Sequence, residues 1–143
     1  MRHPLHPALV HFPLACWTLA TLADATGVLH PDARLAQCAA GLMAVGCAIG
    51  LLAALAGFVE LLRLPPAHPA GRDAVTHMAL ALAAWCLYAG SLALRIDVEA
   101  GVLRRPDIAA LAASALGWVA LLAAGWMGGT LVYRHGVGMA GRR

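Results

Sequence analysis

Lysine is absent from this chain of 143 residues, and charge of either sign is scarce. All ten basic side chains are arginine, and Asp, Glu, Lys and Arg together make up 12% of a sequence that is 62% hydrophobic. Globular domains carry about a quarter charged residues, so this composition excludes an ordinary soluble fold and makes lipid the natural solvent. The net charge of +3 comes without a basic stripe interleaved with aromatics. That excludes a nucleic-acid surface and fits anionic lipid headgroups. No C-x-x-C pair occurs among Cys16, Cys38, Cys47 and Cys86. All four lie in apolar runs and are expected to be small buried packing residues, not a disulfide framework. G-x-S-x-G, P-loop and H-E-x-x-H patterns are missing, and Ser91 and Ser114 lie deep in apolar runs, so soluble catalysis has no carrier. With no C-x-x-C-H motif, any haem would be held noncovalently. A cleavable signal peptide is not evident either. The first apolar run is long enough to span, and its entry is studded with His and Pro, so it reads as a retained transmembrane helix.

What is present is four apolar runs, expected as transmembrane helices over about 7–27, 36–62, 74–94 and 108–133. Pro7 suits a first turn, and Pro13 is expected to bend the first helix by removing the donor for the Leu9 carbonyl. Asp32 and Asp73 are candidate N-caps, Pro106–Asp107 leads into the fourth span, and Gly136 is a candidate C-terminal cap. The fold class is all-α, an up-down-up-down four-helix bundle forming a single transmembrane domain. Four spans put both termini on one side. Arg2, Arg63, Arg72, Arg134, Arg142 and Arg143 lie there, against Arg34, Arg95, Arg104 and Arg105 opposite. The positive-inside rule then places both termini in the cytoplasm of a bacterium, with the spans in its inner membrane. Gly46, Gly50, Ala53 and Gly57 share a face of the second span, and Gly125 and Gly129 form a small-xxx-small pair in the fourth. Such faces pack helices within one chain or between chains of a homo-oligomer.

Polar residues gather at one membrane level. His3, His6, His11, His68, His77 and His135 fall on the terminal side, and only His30 falls on the other. His11, Glu60, His77 and His135 come one from each span, at similar depth. His77 heads a row of small and polar residues, Ala81, Ala84, Tyr88 and Ser91, and Glu60 continues the glycine face. His11 leads into Ala15, Thr18 and Leu22, and His135 follows Gly125, Gly128 and Val132. All four are expected to face the bundle interior. Ionisable groups at membrane depth are costly and mark a partner or cavity. His11 and His77, from diagonal helices, are the expected axial ligands of a b-type haem, with His135, Glu60 and Arg134 supporting them or a propionate. The same cluster can also be read as a structural hydrogen-bond network, or as a path for protons or metal ions. His3 and His6 read as solvated, and His30 and His68 as loop residues. Asp24 is expected to pair with Arg34 or Arg95, and Trp17, Trp85, Trp118 and Trp126 to pack inside.

Four segments carry a resemblance: HPALVHFPLA at 6–15, GFVELLRLP at 57–65, the His77 entry to the third span, and GWMGGTLVYRHGVG at 125–138. Over nearly its whole length the chain resembles the bacterial membrane family called domain of unknown function 2231 (DUF2231). The resemblance implies a four-helix integral membrane protein and redox company, a Rieske or cytochrome module beside or fused to relatives. Its motifs fall on His6, His11, Glu60, His77, Arg134 and His135. Relatives tend to have Asp where this chain has Glu60, a longer acid. The functional expectation is a small electron-transfer protein, not a substrate-transforming enzyme, working between the quinone pool and a partner. The competing expectations are a non-catalytic membrane scaffold and a proton- or metal-conducting bundle.

Overall fold

A computed structural model describes residues 5–138. It contains four helices, α1 (Leu5–Leu29), α2 (Ala33–Leu62), α3 (Gly71–Ala93) and α4 (Ile108–Tyr133), with a short hairpin of β1 (Ile96–Asp97) and β2 (Val102–Leu103) between α3 and α4. All four are long and apolar enough to cross a membrane. The shortest has 23 residues, about 35 Å at the helical rise, against a hydrocarbon core of about 30 Å. The expectations placed on Arg2, His3, Arg142 and Arg143 lie outside the described residues.

Local chemistry sets the ends of the helices. Asp32 accepts the Arg34 N–H at 2.8 Å and caps α2. Asp107 accepts the Ala110 N–H at 2.8 Å and caps α4. Gly136, at φ 67°, turns the chain out of α4, so that the Gly136 and Val137 N–H groups take the carbonyls of Val132 and Leu131. Asp73 does not cap α3. That helix begins two residues earlier, behind Ala70, which offers no side-chain cap. Asp73 instead sits in the first turn, where the helix dipole favours an anion. α1 runs through Pro13, which is buried. The β-hairpin was not anticipated. Asp97 gathers the Glu99 and Ala100 N–H groups, and Gly101 supplies the positive φ of 64° that closes the turn.

α1 packs on α2 and α3 on α4, forming two helical hairpins that meet chiefly along α2 and α3. The hairpins repeat one another. A constant offset of 71 residues relates His6 to His77, Trp17 to Tyr88, Asp24 to Arg95, Gly46 to Gly117, Ala53 to Ala124 and Gly57 to Gly128. Residues paired by this offset meet across the centre: His6 with His77, Trp17 with Tyr88, Asp24 with Arg95. The bundle therefore has an approximate two-fold axis along its length, lined by α1 and α3, which are diagonal as expected.

The core on that axis is small-residued around one aromatic pair. Trp17 and Tyr88 stack with centroids 4.9 Å apart and planes 7° apart, among Ala20, Ala39, Met43, Ala84 and Leu121. Gly46, Gly50, Ala53 and Gly57 are buried, as the glycine face of α2 requires. Gly125 is exposed, with no atom of another element near enough to meet a Cβ, so it is not a packing glycine within this chain. Gly117, Ala124 and Gly128 form the true contact face of α4. Two further expectations are corrected in the same way. Cys38 and Cys86 are exposed on the outer surface, where lipid receives a thiol as a small hydrophobe. Trp126 is 80% exposed, while Trp17, Trp85 and Trp118 pack in or against the core.

Candidate functional site

At the end of the bundle where α1 and α3 begin, the axis passes between two imidazoles. His6 Nδ1 lies 2.8 Å from the Ala53 carbonyl, and His77 Nδ1 lies 2.9 Å from the Ala124 carbonyl. A carbonyl only accepts, so each Nδ1 carries a proton and donates it. In the neutral rings both Nε2 atoms then keep a free lone pair. The ring centroids are 6.0 Å apart with planes at 87°. Glycine makes room for each ring. A Cβ on Gly57 would stand 2.9 Å from His6 Nδ1, and one on Gly128 would stand 3.2 Å from His77 Cε1. The imidazole, its carbonyl anchor and its glycine seat are thus all present twice, once in each hairpin.

This is not the foursome the sequence suggested. His77 faces inward, and Ala84, Tyr88 and Ser91 of its row are buried, as expected. His11 is exposed on the outer face of α1. Five residues separate His11 from His6, about 140° around a helix, so when one faces the axis the other faces away. The inward row of α1 is Pro13, Trp17, Ala20 and Asp24, not Ala15, Thr18 and Leu22. Glu60 is half-buried one turn beyond Gly57, and Arg134 is exposed at the C-terminus of α4. His135 is engaged elsewhere: its Nε2 is 2.8 Å from Asp73 Oδ2, tying the end of α4 to the first turn of α3. Among the described residues no three His, Cys, Asp or Glu side chains gather as a metal-binding group. Sequence reasoning set His6 aside as solvated. The signal that could have found it is the repeated His-x-Ala-Leu of residues 6–9 and 77–80, each followed at the same distance by its glycine.

The opposite end of the axis is also polar. Asp24 and Arg95 form a bidentate pair at 2.7 and 2.6 Å, with Arg95 fully buried and Asp24 6% exposed. Of the two partners expected for Asp24, Arg95 is the one found; Arg34 is exposed at the start of α2. Arg95 also donates to Ser91 Oγ at 3.1 Å, and Ser91 donates to the Ala110 carbonyl. Deeper in, the Thr21 and Tyr88 hydroxyls are 2.7 Å apart, with Ser114 at 3.3 Å from Thr21.

Chemically, the histidine pair offers two Nε2 lone pairs held by outer hydrogen bonds, the arrangement that orients imidazole ligands at metals. Two protein donors are too few for the usual tetrahedral zinc site. They are enough for haem, whose macrocycle supplies the other four nitrogens. The ring centroids stand 6.0 Å apart, so both imidazoles lie within reach of one another across the axis. Two neutral imidazoles are the donor type that a b-type haem iron takes.

A family model described as "Predicted membrane protein (DUF2231)" matches residues 2–141. No curated protein and no solved structure matches the chain.

Proposed function

We propose, from the premise that the chain belongs to the DUF2231 family of predicted membrane proteins, that it is a small electron-transfer protein whose b-type haem is ligated by His6 and His77. One observation carries the reading: the imidazole, its carbonyl acceptor and its glycine seat are kept in both hairpins, and the two rings meet across the axis. His6 takes the place first given to His11, because His11 is exposed. The haem would supply a one-electron iron couple. Arg134, exposed at the same end of the bundle, would meet a propionate, and Glu60 and the Asp73-bound His135 would support that end. The electron partners are the quinone pool and a Rieske or cytochrome module. The arginine distribution supports an inner membrane of a bacterium with both termini cytoplasmic.

The test is spectroscopic. Protein expressed with haem available and purified in detergent should show a Soret band that shifts on dithionite reduction. His6→Ala and His77→Ala should each abolish the band, and His11→Ala should keep it. A colourless protein without metal by elemental analysis overturns the reading in favour of a non-catalytic scaffold. So does a band that survives both His6→Ala and His77→Ala.

A further inference from the structure

Where α2 hands over to α3, at the same membrane level as the histidine pair, the turn-rich loop leaves a cavity of about 810 Å³. Pro65, Pro66 and Pro69 fix the backbone around it, and two tight turns hold the loop in shape: His68 N–H to the Pro65 carbonyl and Gly71 N–H to the His68 carbonyl, both 2.9 Å. One wall is apolar, formed by Leu61, Leu64 and Val75. The polar lining runs to donors. The His68 Nδ1 accepts the Ala70 N–H at 3.1 Å, which leaves the proton on Nε2 and makes that atom a donor. Arg72 adds an exposed guanidinium, and the first turn of α3, which no side chain caps, lines the same cavity. Among the described residues no carboxylate lines it. Asp73, the nearest acid in sequence, is bound to His135.

We propose that this cavity binds an anionic phospholipid, its headgroup phosphate on Arg72 and His68 and one acyl chain along Leu61, Leu64 and Val75. The donors match a phosphate. The apolar wall continues the lipid-facing surface of α2 and α3. The lack of a carboxylate disfavours a zwitterionic headgroup, whose ammonium would find no partner. The proposal stands independently of the haem reading, since it uses neither His6 nor His77.

The probe is phosphatidylglycerol. Delipidated protein is reconstituted in phosphatidylcholine vesicles containing phosphatidylglycerol, re-extracted gently, and its co-purifying lipid is quantified by mass spectrometry. Phosphatidylglycerol should be enriched over its bulk fraction by about fivefold, the factor expected from one basic side chain at a membrane surface. Arg72→Gln should remove most of the enrichment, and His68→Phe with Arg72→Gln all of it. Arg104→Gln, a basic residue at the other end of the bundle, should leave it unchanged. Inorganic phosphate at millimolar concentration should not displace the lipid. Three results overturn the proposal: no enrichment in the wild type, equal enrichment in Arg72→Gln, or full displacement by phosphate, which would make this a free-anion site.

Discussion

The two ends of the axis treat the same repeat in opposite ways. At the histidine end the hairpins have stayed alike: His6 and His77, Ala53 and Ala124, Gly57 and Gly128. At the other end, equivalent positions have become complementary, Asp24 on one hairpin and Arg95 on the other. Two identical hairpins would place a residue on the axis against its own copy. For an ionisable group that means like charge against like in a low-dielectric interior, which is costly. Changing one copy to the opposite sign removes the repulsion and makes the pairing specific to these two unequal halves. A ligand on the axis has the reverse requirement, two equal donors. Likeness is therefore what the proposed ligand would require of the histidine end, and complementarity is what holds the other end of the fold.

The largest effect should come from breaking the complementary end. Removing one partner of a buried pair leaves an uncompensated charge and costs about 3–5 kcal/mol. Arg95→Met or Asp24→Asn alone should therefore lower the stability of the detergent-solubilised bundle by about that much, read by reversible unfolding in denaturing detergent. Asp24→Leu combined with Arg95→Met should recover most of the loss, because an apolar pair on the axis faces no desolvation penalty. Single variants as stable as wild type would mean that the pair does not hold the hairpins together.

A smaller effect separates the hairpins at their glycines. A Cβ on Gly46 would stand 2.5 Å from Trp17 Nε1, whereas one on the equivalent Gly117 would stand 3.0 Å from Tyr88. At the histidine end the order is the same, 2.9 Å for Gly57 and 3.2 Å for Gly128. The first hairpin is the tighter in both places. Gly46→Ala should cost about 1–3 kcal/mol through overpacking of a rigid indole. At Gly128→Ala a small steric cost is offset by the gain in helix propensity of about 0.5–1 kcal/mol, leaving little net change. Gly57→Ala should push His6 off the Ala53 carbonyl and weaken any ligand there more than Gly128→Ala does. Equal effects across each pair, by thermal unfolding and ligand titration, would show that the two seats are equivalent.

Much of this was legible in the residues. Apolar runs of membrane length, the capping Asp32, the glycine face of α2 and the inward row from His77 follow from spacing alone. Asp24 and Arg95 could be matched because charges at those positions have few places to go. The candidate site was half legible. His77 sits in a row whose neighbours are small or polar, so its face is readable. α1 offers rows of similar hydropathy on more than one side, so the choice between His6 and His11 is not decided within that helix. Only the second hairpin decides it, through the offset that carries His6 onto His77. Gly125 and Gly129 misled for a related reason: in a helix with so many small residues, several faces look packable, and only the partner helix selects one.

The smallest expected effect lies outside the membrane and repeats the chemistry of the complementary end in water. Asp97, on the β-hairpin, is ion-paired with Arg104, which is two-thirds exposed. The Ala100 N–H, then Arg104, then the Glu99 N–H hold its carboxyl below the usual carboxylate range. Because the folded value is depressed, its contribution to hairpin order is fully present above the ordinary carboxylate pKa of about 3.9. It is lost as the pH falls through the lower, folded value. Solvent and salt screen the ion pair, so the loss should be confined to the hairpin and leave the four spans intact. Carboxyl titration by NMR should place Asp97 below the ordinary aspartate value of about 3.9. Arg104→Gln should raise it only part of the way, since the backbone N–H groups of Ala100 and Glu99 remain. Full return to the ordinary range in Arg104→Gln would assign the whole shift to the ion pair. It would make this exposed pair a closer relative of Asp24–Arg95 than its solvent exposure allows.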